Sequence, residues 1–189
     1  MLSRRKFLAG SAAGGICLAH SGARAGAVLT EDGFYRQPWF LESFLELADD
    51  LAIASGKNKR LAVMWELRGC PYCKETHLVN FAKPEIENFI KDRFDILQLN
   101  IIGSREVTDF DGAKMSEKAL AQKYGVRYTP TIQFFPDSLA GLAQKPPKER
   151  EITRIQGYLA PPAFLSMFRF VAERAYEKGT LRDYLRANG

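Results

Sequence analysis

Cysteine and histidine are scarce in this chain of 189 residues, with three of the first and two of the second. Such scarcity excludes a disulfide framework as the source of stability and leaves few ways to assemble a metal site. Long apolar runs are missing as well. The best stretch, 7–18, falls short of the roughly 18 residues that a membrane span needs and is broken by glycines. Repeats, low-complexity tracts and linkers are absent too, so one domain with its own core is expected.

The N-terminus narrows the field further. Arg4-Arg5 lie in SRRKFL, a twin-arginine export pattern, and Ala23-Arg24-Ala25 offers an A-x-A cleavage site. Cleavage after Ala25 is expected, giving a signal peptide 1–25 and a mature domain 26–189 in the periplasm. Cys17 does not read as a lipoprotein site, because Ile16 precedes it where a small residue is needed. Removing Arg4, Arg5, Lys6 and Arg24, with no acidic residue, lowers the formal charge from +5 to +1. The basic excess therefore belongs to the signal and gives no argument for nucleic acid. Cys17 and His20 leave with it. Cys70, Cys73 and His77 remain.

The remaining pattern alternates helices and strands. A lead-in over 26–37 reads as extended. Pro38 opens a helical pattern in which Phe40, Phe44, Leu47 and Leu51 share a face, and Gly56 stops it. LAVMWEL (61–67) reads as a buried strand, followed directly by Cys70-Pro71-Tyr72-Cys73. Residues 72–82 have helical spacing, and Pro84 starts another helix. FDILQLNI (94–101) is a second strand, and 102–115 an insertion turning at Asp111-Gly112, where a hairpin is preferred to a calcium loop. Ser116 caps a short helix ended by Gly125. TIQFF (131–135) and EITRIQG (151–157) are expected to pair as a hairpin. Pro161-Pro162 open a helix with Phe164, Phe168, Val171 and Ala175 on one face. Thr180 and Asp183 start a last one. The order implies an α/β sandwich around a mixed sheet. The apolar positions of the Pro161 helix are assigned to the core, and a monomer is expected.

Three chemistries suit Cys70 and Cys73. As a staple the pair would close a very short loop and gain little. As a metal carrier for zinc or copper it would add His77, one helical turn beyond Cys73, and would need a fourth ligand. As a redox pair it sits well at a strand-to-helix junction. Unpaired N–H groups at the helix start stabilise a thiolate at Cys70, while the more buried Cys73 resolves the mixed disulfide. Pro71 fits the first turn, where a missing N–H costs nothing. Tyr72 is expected at the exposed rim. Arg68 either favours the thiolate or stands in solvent.

GCPYC, FDILQLNI and YGVRYTPTIQFF, in this order and spacing, resemble the thioredoxin superfamily over about 59–175. The resemblance implies a three-layer sandwich with a central mixed sheet of about four or five strands, an N-terminal helix and a C-terminal helical extension. It implies a redox-active Cys70–Cys73 disulfide with no other cofactor, a cis Thr129-Pro130 peptide beside it, and backbone pairing of substrate with Thr129. WELRGCPYCKETHLVNFAKPEI and LNIIGSREVTDFDG are most similar to periplasmic thioredoxins of the SoxW type. This implies a reductant of protein disulfides in sulfur oxidation or cytochrome c maturation, with a SoxYZ-like partner and a CcdA/DsbD-like membrane donor. A Dsb-like oxidant or isomerase is the alternative. The chain departs from the family at Gly69, where thioredoxins carry tryptophan, and in its Pro-Tyr dipeptide. Met64 stands where thioredoxins bury an aspartate, and Gln98 where they place its lysine. Glu66, two residues beyond Met64 and so on the same strand face, is expected either to serve as the buried acid/base for Cys73 or to stand as a solvated carboxylate at the strand end.

Overall fold

A computed structural model describes residues 26–188. The expected signal peptide and its cleavage site lie outside them. The described residues begin with a small antiparallel hairpin, β1 (Val28–Leu29) and β2 (Tyr35–Arg36), within the lead-in read as extended. There follow α1 (Leu47–Gly56), β3 (Arg60–Glu66), α2 (Pro71–Glu75), α3 (Pro84–Arg93) and β4 (Phe94–Asn100). The insertion folds as the hairpin β5 (Glu106–Thr108) and β6 (Lys114–Ser116), and α4 (Glu117–Lys123) leads to β7 (Thr131–Phe134). β8 (Thr153–Gln156), α5 (Pro161–Ala172) and α6 (Leu181–Asn188) complete it.

The central sheet has the order β4-β3-β7-β8. β3 and β4 are parallel, whereas β7 runs antiparallel to both β3 and β8. β3 lies inside this sheet and is buried along its whole length, which explains its unbroken apolar run. Period-two alternation splits its side chains between two cores. Ala62 and Met64 join Ile86, Ile90, Phe164 and Phe168 under α3 and α5. Leu61, Val63 and Trp65 join Leu47, Leu51, Leu120 and Ala121 under α1 and α4. Glu66 follows Met64 on the first of these faces.

The first helix starts later than its apolar spacing suggests. Phe40 packs in the α5-side core, whereas Leu47 and Leu51 pack in the α1-side core. One helix cannot place two such residues on opposite sides of a sheet. The segment instead runs past edge strand β4, where the Leu41 N–H donates to the Ile96 carbonyl (2.9 Å), and covers that open edge. Leu45 has a left-handed φ of 64°, and Phe44, expected on the buried face, is 98% exposed. A second difference lies at the C-terminal side. α5 stops at Ala172, and Arg174 turns the chain with φ 52°, so Ala175 is not on that helix. The reversal brings α6 back onto the core, with Tyr184 5.5 Å from Phe170. At its start the Asp183 N–H donates to Thr180 Oγ1 (3.3 Å), the cap that their spacing implied, and the Thr180 hydroxyl donates to the Asp183 carboxylate (2.6 Å). Phe164, Met167, Phe168, Phe170 and Val171 are all buried within the single chain.

Candidate active site

β3 ends at Glu66 and a short turn through Gly69, which adopts φ 75°, delivers Cys70 to the start of α2. A positive φ is open to glycine without steric cost, so the residue that replaces tryptophan here serves the turn. Cys70 and Cys73 are joined as a disulfide. Cys70 is part-exposed, and its Sγ receives the Cys73 backbone N–H at 3.1 Å. Cys73 is only 5% exposed and belongs to the buried side of the helix.

The Thr129-Pro130 peptide is cis and lies against the motif from β7. Cys70 Sγ is 3.6 Å from the Thr129 carbonyl oxygen and 3.5 Å from its hydroxyl. Fifty-nine residues of chain thus separate two groups in van der Waals contact. The Gly157 N–H bonds the Pro130 carbonyl (2.8 Å), which carries β8 up to the site and sets Tyr158 beside it. Tyr158 stacks on Tyr72, with centroids 6.3 Å apart. Tyr72 is 55% exposed, at the rim where the sequence placed it. No local pattern singled out Tyr158, whose place follows from the pairing of β7 with β8. Asn80 ties the two segments by donating to the Leu159 carbonyl (2.9 Å).

Helix α2 continues as a π-turn over Thr76–Asn80. His77 lies on it and is fully buried, among the rings of Phe40, Phe81 and Tyr35. Its Nε2 is 3.0 Å from Glu66 Oε1. Glu66 is 1% exposed, and its other oxygen accepts from Gln98 Nε2. Gln98 also donates to the Tyr35 carbonyl (2.7 Å). Gln37 approaches His77 from the far side, 3.4 Å from Nδ1 and 3.1 Å from the His77 carbonyl. Nothing in the sequence pattern pointed to Gln37.

Both imidazole nitrogens are therefore held by Glu66 and Gln37, and His77 does not join the thiols as a third ligand. Among the described residues, no three His, Cys, Asp or Glu side chains gather as a metal set. At the Asp111-Gly112 turn, where a hairpin is preferred to a calcium loop, Asp111 and the nearby Asp109 bond Lys123 and Arg150. Arg68 turns to the N-terminal hairpin, donating from Nε to the Asp32 carbonyl (2.8 Å). That hairpin walls a cavity of about 430 Å³ beside the disulfide, lined in part by Leu29, Phe34, Tyr35, Glu66, Cys70 and Cys73. Glu66 and both cysteines therefore border one space.

A family model described as a thioredoxin-like domain matches residues 47–172. No curated protein matches the chain. Among solved structures, a thioredoxin-fold protein from Helicobacter pylori is 24% identical, with a TM-score of 0.55 over 74% of this chain and 89% of that one. That likeness shows the fold. A Thermus thermophilus thioredoxin is 22% identical, with a TM-score of 0.48 over 65% and 81% of the two chains. The C-terminal domain of DsbD from Neisseria meningitidis is 16% identical, with a TM-score of 0.42 over 65% and 89%.

Proposed function

Because the chain belongs to the thioredoxin-like family, we propose that it is a thiol–disulfide oxidoreductase in which Cys70 attacks and Cys73 resolves. The observation that carries this reading is the asymmetry of the pair. Cys70 is accessible and faces the Thr129 backbone, whereas Cys73 is buried behind it. In the reducing direction the Cys70 thiolate attacks one sulfur of a substrate disulfide and expels the other as a thiolate. Cys73 then attacks Cys70 Sγ, forms the Cys70–Cys73 disulfide and releases the second substrate sulfur. A dithiol donor returns the two electrons. Glu66 is the acceptor for the Cys73 proton. The Thr129 backbone beside Pro130 pairs with the substrate chain, and Pro71 and Tyr72 form its rim.

The finer reading is a periplasmic, SoxW-type reductant, supported by Arg4-Arg5, Ala23-Arg24-Ala25 and the similarity around GCPYC. Its substrates are protein disulfides, of a SoxYZ-like carrier or of cytochrome c maturation. Its donor is a CcdA/DsbD-like membrane protein. An N-terminus at Gly26 in protein recovered from the periplasm is the expected sign of export. Cytoplasmic protein starting at Met1 would remove it.

Insulin reduction by dithiothreitol tests the activity. The native chain is expected to accelerate it, and Cys70→Ser to fall to the uncatalysed rate. Equal rates for both would reject the enzyme reading. The potential of the pair decides direction. A value near −270 mV fits a reductant, and one near −120 mV fits an oxidant.

A further inference from the structure

The buried pair Glu66 and His77 raises a question of charge that the hydrogen bonds answer. The Gln37 group facing His77 lies within reach of a backbone carbonyl, which only accepts, so it is the amide NH₂. The same NH₂ faces Nδ1, which must then present its lone pair. The imidazole proton is left on Nε2, which donates to Glu66 Oε1. Gln98 is fixed by the same logic. Its NH₂ donates to the Tyr35 carbonyl and to Glu66 Oε2. Glu66 thus receives one N–H at each oxygen, the arrangement of a carboxylate, and both donors are neutral.

Neutral donors matter for the chemistry. A lysine or arginine would orient the carboxylate but would also offset its charge and weaken it as a base. Here each oxygen keeps a free lone pair, and the charge is not cancelled by its hydrogen-bonding partners. Other titratable groups facing the pair are few. The Tyr35 ring of β2 stands 6.5 Å from the imidazole, with Lys74 Nζ of α2 5.9 Å from the centre of that Tyr35 ring. Cys70 and Cys73 border the cavity that Glu66 also lines. Phe40, Phe81 and the amides of Gln37 and Gln98 supply the remaining contacts.

We propose that His77, locked as the Nε2–H tautomer by Gln37, is a positioning residue that holds Glu66 as an ionised acceptor for the Cys73 proton. This rests on the oxidoreductase reading above and adds His77 and Gln37 to it. In the resolving step the Cys73 S–H bond breaks and its proton passes to Glu66, directly or through solvent in the shared cavity. The Cys73–Cys70 bond forms as the bond from Cys70 to substrate breaks, and the substrate leaves as a thiolate. Re-reduction by a donor dithiol returns the proton to Cys73.

The test is single-turnover reaction of the reduced full domain with an aromatic disulfide, followed from pH 5 to pH 9. The first thiolate released reports Cys70 attack, and the second reports resolution by Cys73. His77→Leu is expected to slow resolution about tenfold or more and to move its pH midpoint, with the first step within about twofold. Glu66→Gln is expected to do the same. The double variant is expected to be no slower than Glu66→Gln, because His77 acts through Glu66. Unchanged resolution in His77→Leu, or losses that multiply in the double variant, would overturn the proposal. If the native protein released no second thiolate, the oxidoreductase reading itself would fail. Should His77→Leu not fold, His77→Gln and His77→Asn carry the comparison. Gln extends an N–H towards the Nε2 position and is expected to resolve faster than Asn; equal rates would overturn the proposal.

Discussion

Changing Cys73 to Ser is expected to convert the protein into a covalent trap for its substrates. The first attack needs only the Cys70 thiolate, which sits part-exposed and beside the Thr129 backbone. The second step needs a sulfur within bonding reach of Cys70, and Cys73 is the partner that the disulfide shows to be in reach. With oxygen in its place the mixed disulfide has no internal exit, and it persists until an external thiol arrives. Multiple turnover of insulin should fall to background while one equivalent of substrate stays attached. Non-reducing electrophoresis and intact mass measure this directly. Adducts should form on Cys73→Ser and dissolve with dithiothreitol. Their absence, or their appearance on Cys70→Ser, would reverse the roles assigned to the two cysteines. Trapped in the native compartment, the same variant would identify the physiological partner.

The second large effect is structural and lies away from the cysteines. Asp109 is fully buried in the turn between β5 and β6. Its carboxylate bonds Arg150 Nη1 (2.8 Å), Lys123 Nζ (2.5 Å), the Tyr124 hydroxyl (2.7 Å) and the Phe110 N–H (2.7 Å). Arg150, also buried, continues to Asp111 (2.9 Å) and to the carbonyls of Lys145 and Ala143. The network fastens the insertion and the 136–150 loop to α4. Asp109→Ala leaves the buried guanidinium short of its partner and should cost about 3–5 kcal/mol, the usual range for breaking a buried ion pair. Urea unfolding followed by circular dichroism checks this. A loss under about 1 kcal/mol would mean that solvent reaches the site freely.

The same network sets an acid limit. Burial works to raise the Asp111 carboxyl, but the hydrogen bonds from Lys123 and Arg150 win and hold it well below the ordinary carboxylate range. A depressed carboxyl stabilises the fold above its unfolded value, near 3.8, and loses that contribution as pH falls towards the folded value. Stability should therefore drop as pH passes below about 4, and Asp111→Asn should flatten that drop.

Local signals survive folding where the chain's own chemistry sets them. The buried run of β3, the Ser116 cap and the Thr180–Asp183 start depend on neighbours within a few residues, and each stands where its pattern placed it. Glu66 also falls on the face that alternation gives it, and the structure adds its partners. The helix expected from Pro38 failed because spacing reports that residues share a face without saying which layer they enter. Phe40 and Leu47 went to opposite sides of the sheet.

Sequence alone determined the α/β order and the thiol pair at a strand-to-helix junction, since periodicity and backbone chemistry are written residue by residue, while the Thr129-Pro130 step was implied by the resemblance to thioredoxins. Only the tertiary structure decided what lies beneath the thiols. Gln37 and His77 are forty residues apart, as Asp109 and Arg150 are forty-one, and no local pattern specifies such meetings. They arise because burying a polar group requires a partner, and the sheet determines which distant side chains are near enough to supply one.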